Sequence, residues 1–166
     1  MIKPKEYRDP RGHSVRIYHD IYNSHAFNAL APRDVLAYIA LLRELKKNNN
    51  GDLSLPLTRA KLCGIRHHVT LARSLRALCA VGLIALTRKG GCDRGGRRLA
   101  SLYRVTNIEC YEMPGKNIEA QKATCDYRKI QSVAQGQELI RKYEESQKRR
   151  TKKSPKSSND CDPVNE

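Results

Sequence analysis

The chain has 166 residues, with 32 Lys and Arg against 17 Asp and Glu, and a formal net charge of +15 at pH 7. This length suits one domain with extensions and allows a real core. No apolar run approaches the length of a membrane span, and the charged start Met1–Glu6 has no apolar segment behind it. We therefore expect a cytoplasmic, nucleoid-associated protein that has no membrane partner and lacks a signal peptide.

The positive charge is concentrated in the middle of the chain. Residues 33–106 hold 15 Lys and Arg against 4 Asp and Glu, whereas the segments on either side are near balance. A concentrated excess of this kind favours a polyanionic partner, through attraction and counterion release. Six cysteines lie far apart with no CxxC motif, which is typical of reduced thiols rather than a disulfide framework.

The first third of the chain predicts a polar lead-in followed by two helices. Residues 1–14 contain two prolines and a glycine and are expected to be flexible, and residues 15–18 predict a short strand or an extended segment. Ser24 can cap a short helix through Leu30. Pro32 suits the first turn of a longer helix. Residues 48–51 are expected to end this helix. Its apolar side chains recur at three- and four-residue steps: Val35, Tyr38, Ile39, Leu42 and Leu45.

The middle of the chain predicts a short strand, a helix pair and a hairpin. Leu53 and Leu55 alternate with polar neighbours as a strand, and Thr58 can cap a brief helix through Cys63. Gly64 makes a turn into a helix from about His67 to Val81. Segments 83–88 and 102–106 are β-like and are joined by a loop rich in Gly and Arg.

The C-terminal part predicts one more helix, from about Val133 to Arg149 within a segment 131–149. Three pairs in it have the i,i+4 spacing of ion pairs: Glu138–Lys142, Glu144–Lys148 and Glu145–Arg149. Residues 150–166 have the composition of a disordered basic tail.

The helix near residues 67–81 separates into two faces at 100° per residue. Leu71, Leu75, Leu78 and Gly82 share a narrow core-facing arc, with His68 and Cys79 at its edge. The opposite face carries Arg66, Val69, Thr70, Arg73, Arg76 and Ala77. A solvated basic face would explain this pattern, but Arg59 to Arg88 contains no Asp or Glu, and a helix selected for solubility mixes in acids. We therefore predict DNA contacts from Arg66, His67, Thr70, Arg73 and Arg76, and a partly buried His68.

The loop 89–98 combines four glycines with four cations, Lys89, Arg94, Arg97 and Arg98. Glycines let the backbone run close to another surface, and arginines read the width of a minor groove. An incidental charge on a flexible hairpin is the alternative. No GK[ST] follows the glycines, so the loop is not a phosphate-binding P-loop.

Neither a metal site nor catalysis is expected. Cys63 with His67, or Cys79 with His68, would supply only two zinc ligands each. The chain has no HExxH, no GxSxG and no paired carboxylates on one face, so we expect no enzyme and no cofactor.

Several stretches resemble a known family. They are LAYIALLRELKKNNNGDLSLPL at 36–57, GIxxxxTLxxxLxxLxxxGLI at 64–84, TRxGG at 87–91 and SLYRVT at 101–106. Together they are similar to bacterial winged helix-turn-helix proteins of prophages and integrative elements, over about residues 15–130. The resemblance implies a mainly α fold with a small β-hairpin, that is, an α+β winged helix-turn-helix. One departure is Arg66, which stands where the family has a small capping residue.

The leading hypothesis is sequence-selective binding of double-stranded DNA in transcription regulation. The helix bearing Arg73 would enter the major groove, and the loop bearing Arg97 would reach the backbone or minor groove. A replication or partition factor of a plasmid or other mobile element is the second hypothesis. A third is a non-enzymatic interaction module, with the 133–149 helix forming a homodimer and the basic run 148–156 holding nucleic acid.

Overall fold

The computed structural model describes residues 14–92 and 95–153, and their side chains as far as residue 146. The predictions for residues 1–13, for Arg94 and for the tail from residue 154 lie outside the described residues. The elements in chain order are α1 His19–Tyr22, α2 His25–Asn28, α3 Pro32–Arg43, α4 Leu57–Leu62, α5 His68–Ala80, β1 Ile84–Arg88, β2 Gly91–Cys92, β3 Arg98–Leu99, β4 Leu102–Val105 and α6 Val133–Lys153. The fold is mixed α+β, as predicted at that level.

The sheet is small and antiparallel. β1 pairs with β4, with Ile84 opposite Val105 and a register shift between Leu86 and Arg88. The inner strands β2 and β3 pair with each other farther out along the same hairpin. The free edge of β4 bonds to Leu53 through two backbone hydrogen bonds, from Leu53 N–H to the Tyr103 carbonyl (3.1 Å) and back (2.8 Å). The predicted strand at 53–55 is thus reduced to a single bridge.

Capping residues and prolines explain where several helices begin. The Ser24 hydroxyl accepts a hydrogen bond from the backbone N–H of Phe27 (3.1 Å), which confirms it as an N-cap. Pro32 occupies the first turn of α3, as predicted. The Thr58 cap is wrong, because the N-cap is Pro56, two residues earlier, and Thr58 lies inside α4. A proline loses nothing there, since the first N–H groups of a helix have no intrahelical partner.

Two helix ends also differ from prediction. α3 ends at Arg43 rather than near Asn48, with Glu44 as its C-cap. α6 continues to Lys153, four residues beyond the predicted end at Arg149, so the segment 150–153 is helical rather than a disordered tail.

One apolar core joins the helices to the sheet. α5 packs against both α3 and α6, and β1 lies beside it. The largest side chains in this core have almost no solvent exposure: Tyr38, Tyr127, Ile21, Leu41, Leu53, Leu78, Leu83 and Ile84. A smaller cluster of Leu102, Cys110 and Ile118, with Met113 against it, packs beside the start of β4. α5 and the hairpin therefore pack on the same apolar core.

Candidate functional site

α5 presents the predicted core face, with two corrections. Leu71, Leu75 and Leu78 are buried, as the angular pattern predicted. Ala77 was placed on the open face but is only 2% exposed. It is buried because α5 packs against two helices, and such a helix buries a wider arc than an amphipathic helix with one partner. His68, predicted to be partly buried, is exposed.

Arg73 is engaged by the C-terminal helix. Its Nε and Nη2 donate to the two carboxylate oxygens of Glu144, at 3.1 and 3.3 Å. This hydrogen bond and the nearby negative charge raise the pKa of Arg73 above its usual value. The sequence predicted Lys148 as a partner for Glu144, and the side chain of Lys148 lies outside the described residues. The observed pair joins residues 71 positions apart, and local spacing carries no signal for such a contact.

The C-terminal half of α5 is bordered by α6 on one side and by the hairpin on another. Leu139 and Tyr143 of α6 line a shallow groove together with Cys79 and Ala80 of α5. Arg76, one turn before them, is half-buried, and its Nε has no hydrogen-bond partner among the described residues. The C-terminal half of α5 is therefore less open than the angular pattern predicted.

The N-terminal end of α5 remains open. Arg66, His67 and His68 are all exposed, and Val69 is 55% exposed. His67 is the N-cap residue and its side chain makes no capping bond, so the first turn begins without side-chain support. Arg66, which the family resemblance placed at the cap, lies one residue before it. Thr70 is half-buried.

The hairpin loop carries a second group of cations. Lys89, Arg97 and Arg98 are exposed, while Arg94 lies outside the described residues. Gly90 sits so close to the returning strand that a Cβ would be 2.5 Å from the Leu99 carbonyl oxygen. A larger residue at position 90 would push apart the two sides of the hairpin.

A groove of about 370 Å³ connects α5 to this hairpin. Side chains of α5 form one wall, and the segment joining β3 to the middle of β4 forms the other. The residues that line it are Leu55, His68, Leu71, Ala72, Leu75, Arg76, Ala100, Ser101 and Tyr103. The structure thus places the open end of α5 next to the base of the cationic loop, and no acid occurs in the sequence from Arg59 to Cys92.

Reactive thiols and metal ligands do not gather at this groove. Burial raises the pKa of the Cys79 thiol to about 12, which keeps it protonated at neutral pH. In the described part of the chain, no three His, Cys, Asp or Glu side chains come close enough to hold a metal ion. Five cysteines there are free thiols: Cys63, Cys79, Cys92, Cys110 and Cys125. None of the helices described is both long and apolar enough to cross a bilayer.

Comparison with known proteins identifies no relative. No protein-family model, curated protein or solved structure matches the chain significantly.

Proposed function

We propose that this protein binds double-stranded DNA as a winged helix-turn-helix. The element order supports the proposal: α3, the Leu53 bridge, the α4–α5 pair and then the β1–β4 hairpin. In that arrangement α5 is the recognition helix and the loop 89–98 is the wing. The fold and the resemblance to prophage helix-turn-helix proteins together make transcription regulation the proposed role.

The observation that carries the proposal is the groove between α5 and the hairpin. It joins α5 to the base of the loop that carries Lys89, Arg97 and Arg98. α4, α5 and β1 contain no acid of their own, and the acids that pair with their cations come from outside them, Glu44 with Arg59 and Glu144 with Arg73. Cations on two neighbouring elements match the phosphates on either side of a DNA groove, and neutralising those phosphates releases counterions. A basic surface that only faced solvent would have no reason to lack Asp and Glu, because mixed charges keep a surface soluble equally well.

The structure changes which residues are assigned to the major groove. We assign the leading contacts to Arg66 and His67, since both are exposed and lie directly before the open start of α5. Arg73 already donates to Glu144, and Arg76 is half-buried, so both are secondary candidates. Arg97 and Arg98 are assigned to the flanking backbone or minor groove.

The test is the affinity of the full chain for a fluorescein-labelled 30-bp duplex of mixed sequence, measured by anisotropy over a series of KCl concentrations. Arg66→Gln and Arg98→Gln should each weaken binding and reduce the magnitude of the salt slope by about 1, the value for one phosphate contact. Arg43→Gln is the matched control, because Arg43 is an exposed cation that does not line the groove.

If both variants bind with the affinity and salt slope of the unmodified chain, the DNA-docking proposal is wrong. The biological role needs a separate measurement, the mapping of bound DNA across the genome. Sites upstream of the protein's own gene would support regulation, whereas iterated sites beside an origin would indicate a replication factor instead.

A further inference from the structure

The open face of α5 lies between the hairpin and α6. The exposed residues of α5 are His68, Val69, Ala72 and Arg73, which fall within an arc of about 140° around the helix axis. His68 and Ala72 line the groove toward the hairpin, and Arg73 contacts Glu144 of α6 at the opposite border. Val69 and Ala72 have short apolar side chains, so a base edge can approach this face closely. Among these exposed residues, Arg73 is the one arginine.

Arg73 uses one edge of its guanidinium to bind α6. Its Nε and Nη2 donate to the two carboxylate oxygens of Glu144, at 3.1 and 3.3 Å. The pairing takes one N–H from each of these nitrogens, and the remaining N–H groups, on Nη1 and Nη2, form the terminal edge of the group. Arg73 donates to no other residue in the described part of the chain, and its side chain is 45% exposed. The terminal edge is therefore available to a partner.

α6 holds the Glu144 carboxylate in a fixed place. A Cβ on Gly136 would lie 2.6 Å from the Cβ of Ala29, so α6 meets the end of α2 at close range. Ile140 packs against the main core, and Glu144 follows it by four residues, on the same side of the helix. A carboxylate on an anchored helix restricts the rotamers of Arg73 before any partner binds, which lowers the entropy cost of binding.

The terminal edge of an arginine matches one base in the major groove. Guanine presents O6 and N7 there as neighbouring acceptors, and a bidentate arginine is the commonest specific contact to that pair. A phosphate would also accept such an edge, but attraction to phosphates depends on net positive charge, and Glu144 offsets the charge of Arg73. A guanidinium with balanced charge and directed donors is better suited to reading a base than to binding the backbone.

We propose that Glu144 is a positioning residue for DNA reading, which holds Arg73 so that the terminal edge of its guanidinium binds O6 and N7 of a guanine in the major groove. The proposal rests on the proposed function. It adds to that function a base identity and a residue from outside the helix-turn-helix. The preferred DNA site then contains a guanine opposite the first half of α5.

The first experiment selects preferred duplexes for the full chain from a pool of 30-bp duplexes with a randomised centre. The guanines of the selected duplex are then replaced one at a time by 7-deazaguanine, which lacks the N7 acceptor. At the guanine that Arg73 reads, the replacement should weaken binding roughly tenfold. In Arg73→Ala the same replacement should change the affinity by less than about twofold, because the donor is already absent.

The second experiment tests Glu144 through a ratio, the affinity for the selected duplex divided by that for the mixed-sequence duplex. Removing an acid reduces repulsion from phosphates in both duplexes alike, so the ratio isolates base reading. Glu144→Ala should lower the ratio roughly 2- to 12-fold, the cost of ordering one free side chain on binding. Glu145→Ala is the matched control, because Glu145 is an exposed acid that accepts no hydrogen bond from Arg73. Its ratio should stay within about twofold of the unmodified chain. Far-UV circular dichroism should be unchanged in every variant.

Two sets of results would overturn the proposal while leaving the proposed function intact. One is measurable binding with no preferred sequence, or with no guanine whose 7-deazaguanine effect depends on Arg73. The other is an unchanged or higher ratio in Glu144→Ala, because Glu144 would then keep Arg73 away from the DNA or support only the fold. Failure of the unmodified chain to bind any duplex would refute the proposed function itself.

Discussion

Asn50 ties the hairpin to the body of the protein, and its replacement by leucine should destabilise the fold severely. The side chain is 2% exposed. Its Oδ1 accepts the N–H of Val105 at 2.8 Å, and its Nδ2 lies 3.0 Å from the Val105 carbonyl oxygen. The same Nδ2 lies 2.9 Å from the Ile108 carbonyl oxygen and 3.1 Å from that of Glu109. One amide thus joins the turn after α3 to the exit of β4.

The size of the destabilisation follows from the buried backbone groups that lose their hydrogen-bond partner. Asn50→Leu keeps a similar volume but leaves the buried N–H and carbonyl of Val105 without a partner, at about 1–3 kcal/mol each. The two carbonyls farther along are partly exposed and can turn to water. The expected loss in the free energy of unfolding is therefore about 2–6 kcal/mol. Urea unfolding followed by far-UV circular dichroism should show a lower midpoint at an unchanged m-value.

Asn48 provides the control, because it lies in the same turn and is exposed. Asn48→Leu should stay within about 0.5 kcal/mol of the unmodified chain. A loss below about 1 kcal/mol for Asn50→Leu would refute the reasoning, since it would show that water or a shifted backbone satisfies the Val105 groups without the amide.

Two further predictions concern stability. The Tyr127 hydroxyl donates to Asp20 at 2.6 Å and, together with Arg128, holds the pKa of that carboxyl below its usual value. The resulting stability is present above the unfolded-state pKa of about 3.9 and is lost as pH falls through the lower folded value, so Tyr127→Phe should flatten the decline in urea midpoint below about pH 4. Gly82→Ala should cost about 2–4 kcal/mol, because φ is +72° and the new Cβ would be 2.8 Å from the Cβ of Asp126. Gly64→Ala, at φ +86° in open space, should cost about 1–2 kcal/mol in the same urea unfolding assay, and equal losses would contradict the steric argument.

Local patterns in the sequence predicted most elements of the fold. The Ser24 cap, the position of Pro32 and the leucine face of α5 all depend on residues within one or two helical turns, and the structure confirms them. The charge pattern also identified the exposed cations of the 89–98 loop that the structure describes. Such features follow from backbone geometry and side-chain spacing, which act over short distances along the chain.

Tertiary packing decided how much of α5 remains open. The sequence shows an acid-free helix with a cationic side, but only the packing of α3, α6 and the hairpin around it leaves Ala77 buried and Arg76 half-buried, and only α6 supplies Glu144 to Arg73. The residues of that ion pair are 71 positions apart, and whether they meet depends on the path of the chain between them. The sequence by itself determined that this region is basic and helical. The packing of the other elements against α5 determined which of its cations a partner can reach, because accessibility is a property of the assembled elements.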